Sequence, residues 1–182
     1  MTSAPPGAIS QRAAFTLLEL LAVIALIALL GGIVLGAGRY AIETGRTARA
    51  RAEIAALGAA LDNYQRTLGD YPQTDDGAQL LQSLIGRRGP RHAPITVRGQ
   101  LELARFTTAD ALDPFADLGA VLVDPWGRPY RYVYKVPLSG WRNSSYVLYS
   151  VGPDGLDAGA LLAGGFIDQS VPANADNIYA HR

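Results

Sequence analysis

Among 182 residues the group best placed to do chemistry is one carboxylate, Glu19. It is the single charge between Arg12 and Arg39, and 19 uncharged residues, Leu20 to Gly38, follow it. A carboxylate in mid-bilayer costs about 2.5–3.5 kcal/mol on insertion scales. It must therefore lie near an interface, be protonated or be paired. Glu19 is one turn inside the apolar run, so an interfacial acid without a special role is one reading. The preceding residues, Gln11-Arg12-Ala13-Ala14-Phe15-Thr16-Leu17-Leu18, open another. A peptidase cut between Ala14 and Phe15 would give Phe15 a new α-amino cation four residues from Glu19. The carboxylate of one subunit could then neutralise the amine of the next. That pairing removes two costly charges from lipid only when subunits pack together, so it sets register during assembly.

The remaining chemistry is sparse. There is no cysteine, which excludes disulfide frameworks, thiolate metal sites and thiol nucleophiles. The two histidines, His92 and His181, are far apart in sequence. No Ser–His–Asp spacing, phosphate loop or glycine-rich dinucleotide turn stands out. Sixteen basic residues balance sixteen acidic ones, which argues against a strongly basic nucleic-acid binder. Arg87, Arg88, Arg91 and His92 read as a solvated loop, since no aromatic platform accompanies them. Asp75 and Asp76 read as helix-start acids. Asn143-Ser144-Ser145 fits a glycosylation triplet that is common by chance.

These groups need elements to hold them. The run from Phe15 to Gly38 is long enough to cross a bilayer, which takes about 20 apolar residues. A buried core helix and a secretory signal peptide are its alternatives. The helix should continue through Tyr40 to Leu68, where Ile54, Leu57, Leu61, Tyr64 and Leu68 recur at steps of three and four. Gly69 and Pro72 end it. Thr74 with Asp75 and Asp76 should open a second helix carrying Leu80, Leu81, Leu84 and Ile85, closed by Gly86. Residues 87–94 should be loop, and 95–97 and 101–106 are weak candidates for strands or a short helix. Tyr130 to Val136 and Ser145 to Val151 should pair as an antiparallel hairpin. The tail from Gly152, rich in Gly, Ala, Asp and Asn, should be irregular.

Ala14-Phe15-Thr16-Leu17-Leu18-Glu19 resembles the cleavage and methylation motif of type IV pilins and pseudopilins. Ala14 stands where that family usually has Gly, and Gly36 where many members have a kinking proline. Further along, Ala60-Leu61-Asp62-Asn63-Tyr64 and Gly69-Asp70-Tyr71-Pro72-Gln73-Thr74-Asp75-Asp76-Gly77-Ala78-Gln79-Leu80-Leu81 resemble the major pseudopilin family of type II secretion systems. So do Asp124-Pro125-Trp126-Gly127-Arg128-Pro129-Tyr130, Tyr149-Ser150-Val151-Gly152-Pro153-Asp154-Gly155 and Ala175-Asp176-Asn177-Ile178. Residues 87–123 match poorly and look like an insertion.

The resemblance implies an α+β, pilin-like fold, with a long N-terminal helix on a small antiparallel sheet and an irregular C-terminal loop. It implies a cleaved leader (1–14), a transmembrane and filament-core helix (15–38), an amphipathic continuation (39–69) and a periplasmic domain (70–182). It further implies processing at Ala14 and Phe15 by a prepilin peptidase, N-methylation of Phe15, and assembly through Phe15 and Glu19. The product would be a helical homo-oligomeric filament in the bacterial inner membrane, single-pass, working with minor pseudopilins and an assembly platform to export protein. No enzymatic role and no nucleic acid are expected. Counting arginines alone (Arg12 against Arg39, Arg46, Arg49 and Arg51) would place the long domain inside the cytoplasm; the resemblance implies the opposite. The family also binds calcium in its C-terminal loop. Matching motifs carry Asp154 and Asp176 over as ligands, with Asp157 added by proximity, and the role would be to lock the loop. A pilin of a surface or competence filament is the alternative within the fold. A membrane-anchored periplasmic enzyme or binding module is the alternative outside it.

Overall fold

The computed structural model describes residues 16–135, 142–143, 145–159, 161–162 and 164–180, except for the side chains of 33–37. The leader residues, the expected cut between Ala14 and Phe15, and Ser144 of the glycosylation triplet lie outside the described residues. Two compact units are present, Met1–Ile42 and Glu43–Arg182. One 52-residue helix, α1 (Leu17–Leu68), contributes to both.

In the first unit the described side chains of α1 from Leu20 to Gly32 are all apolar. Its large side chains from Leu17 to Leu30 are all between 47% and 80% exposed. Among the described residues no helix is long and apolar enough to cross a membrane. The expected span of 15–38 falls partly outside them, because Phe15 and the side chains of 33–37 are excluded.

In the second unit the stripe behaves as its spacing predicts. Ile54, Leu57, Leu61 and Tyr64 are buried, joined by Ala50 and Ala60, and Leu68 packs at the edge. Burying an aliphatic or aromatic side chain of this kind contributes about 1.5–3 kcal/mol. The helix stops at Gly69, whose φ of +90° suits only glycine and lets its N–H reach the Gln65 carbonyl at 2.8 Å. The second helix, α2 (Gly77–Leu84), starts later than expected. Its cap is Asp76, which accepts from the N–H groups of Ala78 and Gln79, while Thr74 Oγ1 accepts from the Asp76 N–H. Gly86 closes it with φ +85°, in a seat where a Cβ would lie 2.2 Å from the Val97 carbonyl oxygen.

The segment 87–123 holds no long element. It carries a 3₁₀ turn at Leu103–Arg105 and the two-residue strand β1 (Thr107–Thr108), which pairs antiparallel with β2 (Leu122–Val123). Residues 95–97 form no strand. The basic cluster is less solvated than expected: Arg87 donates to the Phe115 carbonyl and Arg88 to the His92 carbonyl, at 2.9 and 3.0 Å.

The expected hairpin forms as β3 (Arg131–Tyr134) against β4 (Tyr146–Ser150), antiparallel, with Tyr132 opposite Leu148. The tail is more ordered than its composition suggested. Strands β5 (Leu161–Leu162) and β6 (Phe166–Ile167) pair with each other, and β7 (Ile178–Tyr179) adds to β4 as the third strand of the main sheet. Tyr132, Tyr146, Leu148 and Ile178 meet the α1 stripe and Leu80, Leu81 and Leu84 of α2 in one core.

Candidate assembly site and C-terminal loop

Glu19 is placed by the first turn of α1. Its Oε2 accepts from the Thr16 N–H at 3.0 Å and from Thr16 Oγ1 at 3.1 Å, and the Glu19 N–H donates back to Thr16 Oγ1 at 3.2 Å. This is a capping box: a Thr and a Glu three positions apart satisfy one another's orphan groups at a helix start. The carboxylate is therefore not bare in the single chain. The Thr16-Leu17-Leu18-Glu19 spacing carries that signal in the sequence. Phe15 and Ala14, the other processing and assembly residues, lie outside the described residues.

In the second unit, buried polar groups fix the sheet and the turns beside it. Glu53 of α1, only 5% exposed, receives Tyr130 Oη at 2.5 Å and Arg49 Nε at 2.7 Å. Burial first, and then the hydrogen bond to Glu53, push the Tyr130 phenol far above its usual range. Asp124, 3% exposed, organises the turn before β3. Its Oδ1 accepts from the N–H groups of Trp126 and Arg128, each at 3.0 Å, and its Oδ2 accepts from Ser150 Oγ at 2.6 Å. Tyrosine hydroxyls pin the stretch after α1: Tyr132 donates to the Pro72 carbonyl at 2.9 Å and Tyr134 to Asp70 Oδ2 at 2.7 Å.

The C-terminal loop brings two of the three expected acids together. Asp176 Oδ2 accepts from the Asp154 N–H at 3.0 Å. Gly152, at φ +70°, makes room, since a Cβ there would lie 2.5 Å from the Asp176 carbonyl oxygen. Asp154 Oδ1 caps its own turn by accepting from the Leu156 N–H at 2.7 Å. Asp157 is engaged elsewhere. Tyr149 Oη donates to its two oxygens at 3.1 and 3.2 Å, and Arg131 Nε lies 3.4 Å from its Oδ2. Burial, followed by this carboxylate, raises the Tyr149 pKa.

Whether this loop suits a hard cation turns on oxygens without partners. Asp176 Oδ1 and Asn177 Oδ1 are buried and accept no hydrogen bond. A buried oxygen of this kind is costly unless something satisfies it, and carboxylate and amide oxygens are what calcium binds. Among the described residues no group of three or more His, Cys, Asp or Glu is arranged to hold a metal ion. Asp176 Oδ1 and the Asn177 amide oxygen are of the chemical kind a hard cation takes, and Asp154 lies beside the Asp176 carboxylate through its N–H. Asn177 and Arg128 were not among the expected site residues. Both sit in matched motifs, Asn177 in Ala175–Ile178 and Arg128 in Asp124–Tyr130, but the contact of Arg128 with Gly152, 24 positions on, is not readable from its motif.

Comparison with known proteins fits this geometry. A family model described as "Type II secretion system (T2SS), protein G" matches residues 40–164. The chain is 26% identical over 151 residues to the type II secretion system core protein G of Pseudomonas aeruginosa, covering 82% of this chain and 89% of that one. It is 29% identical over 148 residues to the protein of the same name from Escherichia coli K12, covering 81% and 86%. The match spans most of the chain, including the two turns and the helix half that build the core, and the chain belongs to the protein G family of type II secretion systems, the pseudopilins.

Proposed function

We propose that this pseudopilin is processed by a prepilin peptidase between Ala14 and Phe15, is N-methylated on Phe15, and polymerises through its N-terminal helix into a pseudopilus that supports protein export. The role is structural. The observation that carries the reading is the first unit of α1, where every large side chain from Leu17 to Leu30 is exposed in the single chain. An apolar surface on all sides of a helix needs lipid or other helices around it. Before assembly the helix would be a single inner-membrane span with the second unit in the periplasm. In the filament it would pack against the same helix of other subunits, with minor pseudopilins and the inner-membrane platform as partners.

Glu19 has two roles in sequence. In the single subunit its carboxylate closes the capping box with Thr16. During assembly it neutralises the new amine of Phe15 on a neighbouring subunit, which places the charges where helices meet and fixes their register. Glu19→Ala should leave the chain in the membrane but reduce its recovery in sheared filaments at least tenfold. Normal incorporation of the variant would refute the assembly role.

Calcium supplies a charge that lonely oxygens can share. Asp154 and Asp176, with the amide oxygen of Asn177, would hold it, and it would tie the C-terminal loop to the turn after β4. Asp157, the third candidate ligand, accepts from Tyr149 Oη and faces Arg131.

A further inference from the structure

The C-terminal loop already contains a cation of its own. Arg128 sits in the Asp124 turn, and its guanidinium crosses to the turn after β4. There Nη1 donates to the Gly152 carbonyl at 2.6 Å and reaches the Pro153 carbonyl at 3.4 Å. The plane of the group lies flat on Gly155: a Cβ at that glycine would come within 2.4–2.6 Å of Arg128 Cζ, Nη2 and Nε. Gly155 is at φ +71°, so backbone geometry and clearance both call for glycine beneath the guanidinium. The placement is independent of the side chain's own turn, which is held through backbone groups. Arg128 N–H donates to Asp124 Oδ1 and Asp124 N–H donates to the Arg128 carbonyl. A second guanidinium, from Arg131 three residues on, meets Asp157 at the far side of the same loop.

We propose that Arg128 is the resident cation of the 152–157 turn, a positioning residue that holds the Gly152 and Pro153 carbonyls and thereby keeps Asp154 beside Asp176 when no divalent ion is bound. One nitrogen, Nη1, that donates to the Gly152 carbonyl and reaches the Pro153 carbonyl, on a planar group stacked over Gly155, does in this turn what a metal would do by coordinating oxygens. The proposal goes beyond the calcium reading and does not require it. Where calcium binds, it finds a preformed loop; where it is absent, the loop stays closed.

The test is hydrogen exchange of the full-length, detergent-solubilised protein, comparing the native chain with Arg128→Gln and Arg128→Lys in EGTA and in millimolar calcium. In EGTA, peptides covering 152–159 should exchange at least tenfold faster in Arg128→Gln than in the native chain. Arg128→Lys should fall between them, because an ammonium keeps a charged donor but loses the planar group stacked on Gly155, and α2 peptides over 77–84 should be unchanged. Loop exchange within twofold of native in the Gln variant overturns the proposal. If α2 also accelerates, so that the Gln variant is globally loosened, the Lys variant decides: intermediate protection supports the proposal, and no recovery overturns it. Calorimetric titration of the native chain with calcium is a separate arm. No binding there overturns the calcium reading and leaves the EGTA comparison valid.

Discussion

Tyr130→Phe isolates a single buried hydrogen bond between α1 and the sheet. The substitution removes one oxygen and keeps the ring, so it opens no cavity. Glu53 loses the donor on its Oε2 and keeps only Arg49 on Oε1, at 2.7 Å. With the carboxylate 5% exposed, water cannot replace the phenol. A buried acceptor left without its donor costs about 1–3 kcal/mol, toward the upper end when it is charged. For a folded unit of this size, about 2 kcal/mol lowers Tm by roughly 6 °C. The assay is thermal unfolding of the full-length protein in detergent, followed by near-UV circular dichroism so that tertiary packing is read apart from helix content. Adding Glu53→Leu to Tyr130→Phe should recover part of the loss, because replacing both partners by apolar groups is nearly neutral. A drop below about 1 °C for Tyr130→Phe, equivalent to a few tenths of a kcal/mol, would refute the reasoning. It would mean that Glu53 is solvated and that the helix is held to the sheet by apolar packing alone.

Three further outcomes follow, from the loop, from the tyrosines and from Asp70. If calcium is bound at 100 times its dissociation constant, chelation removes about 2.7 kcal/mol and lowers Tm by several degrees; Asp176→Asn should abolish that difference, and a native Tm indifferent to EGTA would remove the metal. Folding should also fail at alkaline pH in a definite way. Burial pushes the phenols of Tyr64 and Tyr134 up to about 12 and those of Tyr130, Tyr132, Tyr146 and Tyr149 higher still. Their stabilisation is complete below the unfolded value near 10 and is lost as pH rises toward the folded values. Absorbance of tyrosinate should therefore rise together with unfolding above about pH 10; independent titration of these phenols in the folded protein would contradict it. On the acid side, burial alone would raise Asp70, but hydrogen bonds from Tyr134, Tyr71 and Gln73, with Lys135 nearby, hold it below the usual carboxylate range. Its contribution persists above the unfolded value and disappears as pH falls through the lowered one.

The helical half of the molecule was legible because period and chemistry agree. Ile54, Leu57, Leu61 and Tyr64 stand on one face, and Gly69 supplies the positive φ that ends the helix. The hairpin of β3 and β4 was legible from its Tyr and Val content, which packs well on a half-buried pleated surface. The tail was not. Strand β7 is two residues long, and it exists because β4 offers it an edge 28 positions earlier in the chain, at Ser150 opposite Ile178; local composition carries no trace of such pairing. The capping box at Thr16 and Glu19 is local, three positions apart, and is readable from the spacing alone. In the loop, the matched motifs contain Asp154 and Asp176, which meet, and Asp157 faces Tyr149 and Arg131 from neighbouring strands. Arg128 and the pair Glu53–Tyr130 depend on contacts across 24 and 77 positions. Contacts of that range are set by the packed fold and not by any pattern along the chain.

The central claim is that the apolar start of α1 is exposed because it is released, by a cut before Phe15, to pack with its own copies. Intact-mass measurement of the protein extracted from the membranes of cells with an active peptidase tests it most directly. The expected product is a chain that begins at Phe15, carries one added methyl group and co-purifies with sheared filaments. Material that retains Met1 through Ala14 and is absent from the filaments would contradict it.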